Sequence, residues 1–224
     1  MCFPWFGPHS TDKSKPQHGF GRLQYWTVAG TKETGSGETV ITLSLKESAN
    51  SLQLWPHVFT VTAEFIIGKN LEVKLTVDNN GKEPFEYSDA LHTYFNIGSI
   101  DTIALEGLQN ATYYDAFGTA LKTQAGKTLY FATETNRRYV HTKADCIIHD
   151  NDLKRKVSVK KSGSNVTVVW NPGEDTAKTI ADMNDEGYKT FVCVEPANAY
   201  PGIDVINLAP GQSHTLSTLI EVME

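Results

Sequence analysis

Long apolar stretches are missing from this sequence of 224 residues. None approaches the roughly 18 consecutive apolar residues that a membrane-spanning helix needs, so we expect no membrane association. Basic residues are also few, since 20 Lys and Arg stand against 26 Asp and Glu, for a net charge of −6. A nucleic-acid-binding protein normally presents a basic surface, and this balance argues against nucleic acid as a partner.

Cysteine is equally scarce. Cys2, Cys146 and Cys193 are an odd number and show no C-x-x-C spacing, so we predict neither a disulfide framework nor a metal site. We interpret them as buried free thiols in a reducing compartment. Residues 1–8 lack the basic start and the unbroken apolar stretch of a signal peptide. Together these features predict a cytoplasmic protein.

Strand-like alternation is what the sequence has in abundance. Hydrophobic residues make up 40% and charged residues 21%, which is typical of a globular chain. Apolar and polar residues alternate over residues 59–65 and 71–77 around a Gly/Asn turn at 68–70, which predicts a β-hairpin. Residues 157–160 and 166–170, separated by a Ser/Gly-rich loop, predict a second hairpin.

Helical periodicity is almost absent, and one short turn is expected near residues 175–183. Many short strands with frequent turn signals predict an all-β fold, namely a β-sandwich whose two sheets pack their apolar faces together. The chain has no Pro/Ser-rich linker and no internal repeat, so we predict a single domain over residues 1–224.

Glu195 is the most unusual residue of the chain because it interrupts an otherwise apolar strand. A carboxylate in such surroundings is costly unless it is paired or used. Burial raises the pKa of a carboxyl group, which suits a general base that works near neutrality. A structural ion pair is the alternative role.

Two other residues lie in apolar, aromatic surroundings. His92 is followed closely by Tyr94 and Phe95 on a predicted strand. It is either an acid–base group facing a cleft or a hydrogen-bonded core residue. Trp170 ends an apolar strand, where core packing is the safer interpretation and a stacking platform for a sugar is the other.

The segment Gln17-His18-Gly19-Phe20-Gly21-Arg22 combines glycines with polar donors. Glycine lets a backbone approach a ligand closely, and arginine suits the bidentate recognition of phosphate or carboxylate. The alternative is a surface turn with a solvated arginine.

Several of these motifs, taken together, resemble the aldose 1-epimerase superfamily in its glucose-6-phosphate 1-epimerase (hexose-6-phosphate mutarotase) branch. They follow one another in order along the chain: Cys2 to Pro8, Gln17 to Arg22, Leu91 to Phe95, Trp170 to Pro172, Asp182 to Lys189 and Cys193 to Glu195. The resemblance implies a large antiparallel β-sandwich of the galactose-mutarotase type. Family members usually have further strands before the first motif, so we expect a sandwich short of its N-terminal strands.

The resemblance also implies a reaction. His92 and Glu195 match the catalytic residues: Glu195 would remove the proton of the C1 hydroxyl while His92 protonates the ring oxygen, which opens the pyranose. The expected function is therefore a hexose-6-phosphate mutarotase that interconverts the α and β anomers of glucose 6-phosphate. Such a reaction implies no cofactor, and we expect a monomer whose partner is the small-molecule sugar phosphate.

The implied substrate-binding residues lie elsewhere in the chain. Gln17, His18 and Arg22 match positions that contact substrate, with Arg22 directed at the phosphate. Asn136 stands where the family usually has aspartate. Asparagine keeps one acceptor and adds a donor, but it lacks the strength of a charged acceptor.

Three alternatives stay open at this point. A mutarotase for unphosphorylated aldoses would use the same acid–base pair. A catalytically weak sugar-phosphate-binding protein is suggested by Asn136 and by the short N-terminus. A glycosidase ranks last, because it normally needs two carboxylates across the scissile bond and the motifs here pair glutamate with histidine.

Overall fold

The structure, a computed structural model, describes residues 1–115, 118–199 and 204–223. By its internal contacts the chain divides into two compact units. Unit 1 comprises Met1–Leu91, Ser162–Ser164 and Ala197–Leu219, and unit 2 comprises His92–Lys161, Asn165–Pro196 and Ile220–Glu224. The single-domain organisation stays a prediction.

Strands make up most of the secondary structure. The first part of the chain forms β1 (Thr27–Glu33), β2 (Thr39–Lys46), α1 (Ala49–Leu54), β3 (Phe59–Ile67), β4 (Leu71–Asn79), β5 (Phe85–Tyr87), β6 (Asp89–Ala90), β7 (Tyr94–Asn96), β8 (Ala104–Glu106) and β9 (Thr112–Asp115). The remainder forms β10 (Leu121–Thr123), β11 (Thr128–Leu129), β12 (Thr135–Val140), β13 (Cys146–Asp150), β14 (Arg155–Ser162), β15 (Val166–Asn171), α2 (Gly173–Ala177), β16 (Phe191–Asn198), β17 (Ile206–Leu208) and β18 (Ser213–Met223).

The main sheet of unit 1 is an antiparallel meander of β1 to β4 that β18 continues beyond β4. Strands β3 and β4 pair along their whole length, with Val61 opposite Val77 and Ala63 opposite Leu75. All four of these side chains are fully buried, as the period-two pattern requires. The first predicted hairpin is confirmed.

The N-terminal segment of unit 1 is anchored in the core by an aromatic cluster. The ring of Phe3 lies 5.3 Å from that of Phe59 and 5.7 Å from that of Tyr87, measured between centroids. Gly19 has a φ of +71°, and a Cβ there would lie 2.0 Å from the carbonyl oxygen of Phe3. Only glycine fits this close approach, which holds residues 17–22 in place.

Unit 2 contains two antiparallel sheets that share one core. One sheet has the order β10-β9-β12-β15-β16 with β7 paired to β16, and the other has the order β14-β13-β8-β11. A single hydrophobic cluster contains buried side chains of both sheets: Tyr139, Val169 and Val192 from the first, and Leu105 and Ile148 from the second. The sheets therefore pack face to face, and the predicted mostly antiparallel β fold is confirmed.

The second predicted hairpin is wrong. Its two strands exist, but β14 pairs with β13 and β15 pairs with β12, in different sheets. A short loop containing glycine is compatible with a hairpin and also with a crossing between sheets. Here Gly163 has a φ of +75°, and a Cβ there would lie 1.9 Å from the carbonyl oxygen of Thr215, so the loop is packed closely against β18.

The helices are short. The sequence missed α1, which begins after a capping box in which Ser48 and Ser51 each accept a hydrogen bond from the backbone N–H of the other. The turn expected near residues 175–183 is instead the five-residue helix α2, two residues earlier. The longest helix within the described ranges has six residues, far short of a bilayer crossing.

Candidate active site

The strand β16 places Glu195 on the face of its sheet that points away from the core between the two sheets of unit 2. Val192 and Val194 belong to the core between the two sheets of the unit. Because side chains alternate along a strand, Phe191, Cys193 and Glu195 lie on the opposite face.

Antiparallel pairing then places His92 beside Glu195. Cys193 lies opposite Tyr94, and Val192 lies opposite Phe95. Since residue numbers run in opposite directions on antiparallel strands, two further steps along this register put Glu195 opposite His92. The distance from Nδ1 of His92 to Oε1 of Glu195 is 3.5 Å, so the structure brings the two predicted catalytic residues together.

The surroundings of Glu195 favour proton acceptance. The side chain is only 1% exposed, whereas that of His92 is 17% exposed. Neither carboxylate oxygen of Glu195 has a hydrogen-bond partner in the part of the chain that the structure describes. Burial raises the pKa of this carboxyl group well above its ordinary value. A buried carboxylate next to a solvent-accessible imidazole can take a proton while the imidazole gives one.

Aromatic rings surround the imidazole of His92. The ring of Tyr94 stacks on it at 4.9 Å with an interplanar angle of 11°, and the ring of Trp170 meets it edge-on at 5.8 Å and 80°. The ring centroids of Phe191 and Trp170 lie 5.7 Å apart. Because Tyr94 is 53% exposed, this cluster presents an aromatic surface to solvent beside the histidine, of the kind on which the apolar face of a sugar packs.

Asn136 lies on the same face of this sheet. On β12 it is the cross-strand partner of Trp170 on β15, and its side chain is half-buried. Its neighbour Arg137 points the other way, toward the core, where Nη1 donates to Oε1 of Gln124 at 3.0 Å. The alternation of side chains along β12 thus places Asn136 on the face that carries His92, whereas Arg137 makes its hydrogen bond on the core side.

Gln17, His18 and Arg22 form a separate cluster in unit 1. Nε and Nη2 of Arg22 donate to the carbonyl oxygen of Gln17 at 3.4 and 3.3 Å, and both side chains are exposed. The backbone N–H of Gly7 donates to Nδ1 of His18 at 3.1 Å, so this ring nitrogen acts as an acceptor.

The charge state of this cluster follows from its packing. Burial, together with the positive charge of Arg22, lowers the pKa of His18 to about 4. His18 is therefore neutral at physiological pH, and Arg22 carries the positive charge. The structure brings these three predicted residues together, as the sequence segment requires.

Two residues of the site were given no role of their own by the reasoning from sequence. Cys193 was named as a buried thiol and as a member of a family motif, and Tyr94 as an aromatic neighbour of His92. Both could have been found from the period of two, since Cys193 shares a strand face with Glu195 and Tyr94 lies two residues beyond His92.

A cleft of about 360 Å³ lies in unit 2, where β12 begins and β15 ends. Four acidic residues line it: Asp101, Glu134, Glu174 and Asp175. Since negative charge repels an anion, this cleft is a poor place for the phosphate of a sugar phosphate.

Known structures define the class of fold. A galactose mutarotase-like protein from Lactobacillus casei ATCC 334 is 17% identical and has a TM-score of 0.78, with 99% of this chain and 83% of that chain covered. The architecture is thus that of the galactose mutarotase-like β proteins. The sequence profile described as "Aldose 1-epimerase" matches residues 1–221, and the chain belongs to the aldose 1-epimerase family.

Individual relatives within this family carry more specific names. A protein of Escherichia coli K12 named "Putative glucose-6-phosphate 1-epimerase" is 36% identical over 200 residues, which cover 89% of this chain and 66% of that protein. One of the same name from Cenchrus ciliaris is 30% identical over 221 residues, or 95% of this chain and 65% of that protein. A "putative mutarotase" from Salmonella typhimurium is 32% identical with a TM-score of 0.90, covering 100% of this chain and 72% of that chain. The chain thus spans slightly less than two thirds of the length of these two named epimerases.

Proposed function

We propose that this protein is a hexose-6-phosphate mutarotase that interconverts the α and β anomers of glucose 6-phosphate. The observation that carries the proposal is the buried carboxylate of Glu195, 3.5 Å from the imidazole of His92, with no hydrogen-bond partner among the described residues for either oxygen. Family membership and the names of the relatives support the reaction class.

The reaction needs a base and an acid at the anomeric centre. Glu195 takes the proton of the C1 hydroxyl, and His92 gives a proton to the ring oxygen while the bond between C1 and that oxygen breaks. The intermediate is the open-chain aldehyde. After rotation about the C1–C2 bond, the two residues exchange roles and the ring closes as the other anomer. Ring opening and ring closure each consist of two proton transfers and the breaking or forming of one C–O bond, so the proposal involves no cofactor.

The buried position of Glu195 suits its part in this exchange. A carboxylate held away from water binds a proton more strongly, which favours removal of the weakly acidic C1 hydroxyl proton. His92 is more exposed than Glu195, so it can exchange its proton with solvent between turnovers. The aromatic surface of Tyr94 and Trp170 offers the sugar ring an apolar face to pack on.

Phosphate recognition is assigned to Arg22. Its guanidinium group is exposed, and it is charged at any physiological pH. Two of its nitrogens are held by the carbonyl oxygen of Gln17, which orients the group for a ligand. Gln17 and His18 would contact the sugar phosphate as neutral partners, and Asn136 would hydrogen-bond sugar hydroxyls as donor and acceptor.

Anomer exchange measured by NMR on glucose 6-phosphate and on free glucose tests the proposal. The wild-type protein should accelerate exchange of the phosphorylated sugar. Glu195→Gln should lose about 10²–10⁴-fold of that rate, the scale of general acid–base catalysis, since an amide cannot take the proton. The matched control is Glu86→Gln, because Glu86 is exposed on β5, and this variant should keep the wild-type rate.

Each outcome has a clear meaning. A correctly folded Glu195→Gln protein with wild-type exchange would contradict the assignment of the base. Faster exchange of free glucose than of glucose 6-phosphate would instead identify an aldose 1-epimerase for unphosphorylated sugars. Binding of glucose 6-phosphate without acceleration would identify a sugar-phosphate-binding protein.

A further inference from the structure

Three different ligand-type side chains of unit 2 converge on one point, on the sheet face that carries Glu195. A ring nitrogen of His92, the sulfur of Cys193 and a carboxylate oxygen of Glu195 all lie within 4.8 Å of one another. Cys193 is fully buried and Glu195 is 1% exposed. The cross-strand register brings His92 opposite Glu195, and the alternation of β16 puts Cys193 on the same face.

This donor set matches the preferences of zinc. Imidazole nitrogen, thiolate sulfur and carboxylate oxygen are its usual ligands, and a site with three protein ligands keeps the fourth position open. Bond lengths of about 2.0–2.3 Å in a tetrahedral site separate the ligand atoms by about 3.3–3.7 Å. His92 and Glu195 already satisfy this spacing at 3.5 Å, and the thiol of Cys193 would need to approach by about 1 Å.

Charge supports the same conclusion. The two oxygens of Glu195 lie buried, with no hydrogen bond from any described residue and with the nearest His92 nitrogen 3.5 Å away, so a bound cation would compensate a negative charge here more closely than the imidazole does. A divalent cation bound by one carboxylate and one thiolate is neutral overall. Access comes from the side of His92, the most exposed of the three residues.

We infer that His92, Cys193 and Glu195 form a binding site for Zn²⁺ or a similarly thiophilic divalent cation, whose occupation blocks the proposed acid–base pair. On binding, the thiol of Cys193 loses its proton to solvent and a sulfur–metal bond forms. The blocking effect rests on the proposed mutarotase function, whereas the metal site itself does not. Zinc would therefore act as a reversible inhibitor that competes with the sugar.

Titration with Cd²⁺ tests the site without any activity measurement, because a cadmium–thiolate bond absorbs in the ultraviolet. The wild-type protein should show this band with one equivalent bound, and Cys193→Ala should lose it. Cys146→Ala is the matched control, since Cys146 is the other buried cysteine of unit 2 and forms no disulfide, and it should keep the band. A band that is absent from the wild type, or that persists in Cys193→Ala, overturns the inference.

A second variant protects the test against misfolding of Cys193→Ala. His92→Ala should retain the thiolate band but bind Cd²⁺ at least about tenfold more weakly, since loss of a residue that merely orients a ligand already costs about 10–100-fold. Unchanged affinity in His92→Ala would overturn the three-ligand site.

The inhibitory effect needs a separate experiment. Zn²⁺ should slow anomer exchange by the wild type, and a chelator should restore it. If Cd²⁺ binds at Cys193 but the protein accelerates no exchange even without metal, the proposed function fails while the metal site stands. Exchange that is unaffected at saturating Zn²⁺ overturns the blocking role.

Discussion

Replacing Asp89 by asparagine should stabilise the protein at neutral and alkaline pH and change its stability little in acid. Asp89 is fully buried in unit 1. Its Oδ1 accepts a hydrogen bond from Nδ2 of Asn198 at 2.9 Å, but Oδ2 has no hydrogen-bond partner among the described residues. Burial is the main reason that the pKa of Asp89 is raised to about 7. The negative charge of Asp204 raises this pKa further, and the bond from Asn198 opposes the rise.

The sign and size of the effect follow from linkage. A carboxyl group whose pKa rises from 3.8 in the unfolded chain to about 7 in the folded one binds its proton more tightly when folded. The folded state therefore loses stability as the pH rises from 3.8 to about 7, and it loses no more above that range. About three pH units at about 1.4 kcal/mol each give a cost of at most about 4 kcal/mol at pH 8.

Asparagine keeps the acceptor for Asn198 and carries no charge, so the variant escapes this cost. Denaturant unfolding at pH 4, 6 and 8 measures this cost as the difference in the free energy of unfolding between Asp89→Asn and the wild type. The difference should be small at pH 4 and grow toward about 4 kcal/mol at pH 8. The neighbouring Tyr87 does not contribute to the pH dependence, because burial raises the pKa of its hydroxyl above the ordinary tyrosine value and the side chain stays neutral from pH 4 to pH 8. Asp182→Asn is the control, because Asp182 is exposed. A difference that is constant with pH would refute the reasoning.

Two further predictions concern the proposed reaction. Arg22→Ala should reduce kcat/KM for glucose 6-phosphate by about 10–150-fold, the equivalent of about 1.5–3 kcal/mol for a hydrogen bond to a charged group. The exchange rate of free glucose should be nearly unchanged. Equal losses for both sugars in NMR exchange would mean that Arg22 has a structural role. Tyr94→Ala should lower kcat by about two- to tenfold, since a ring pair contributes about 0.5–1.5 kcal/mol, while Tyr94→Phe keeps the stack on His92 and most of the rate. Equal kcat in the two Tyr94 variants would exclude a positioning role for the ring.

The strand predictions succeeded where the pairing is determined within one short segment of the chain, and failed where it depends on distant segments. The hairpin of β3 and β4 was predictable because period-two alternation and a short glycine turn specify both strands and their register. The pattern at β14 and β15 is just as clear, yet these strands belong to different sheets, because partners are chosen by long-range packing. The helix α1 has only six residues, too few to show a helical period; its one signal is the Ser48–Ser51 capping box.

The same distinction applies to the site. The oddity of Glu195 is local, since one carboxylate in an apolar strand is visible in the sequence. Its partnership with His92 is not local: it arises from the register of β16 against β7, which joins distant parts of the chain. The resemblance to a family supplied that pairing, and no pattern of residues could have done so alone.

Asn136→Asp is predicted to raise kcat/KM for glucose 6-phosphate by about fivefold. A charged acceptor gains about 1 kcal/mol over a neutral one in a hydrogen bond to a sugar hydroxyl. A new carboxylate here costs little, because the half-buried position lies two residues from Arg138 on the same strand face, and that arginine is charged and buried. Asn207→Asp, on an exposed position of β17, controls for the change in net charge. Anomer exchange would be followed by NMR at substrate concentrations below KM. A lower kcat/KM in the Asn136→Asp protein would mean that the carboxylate repels the substrate phosphate, and that asparagine is the better residue for a phosphorylated sugar at this position.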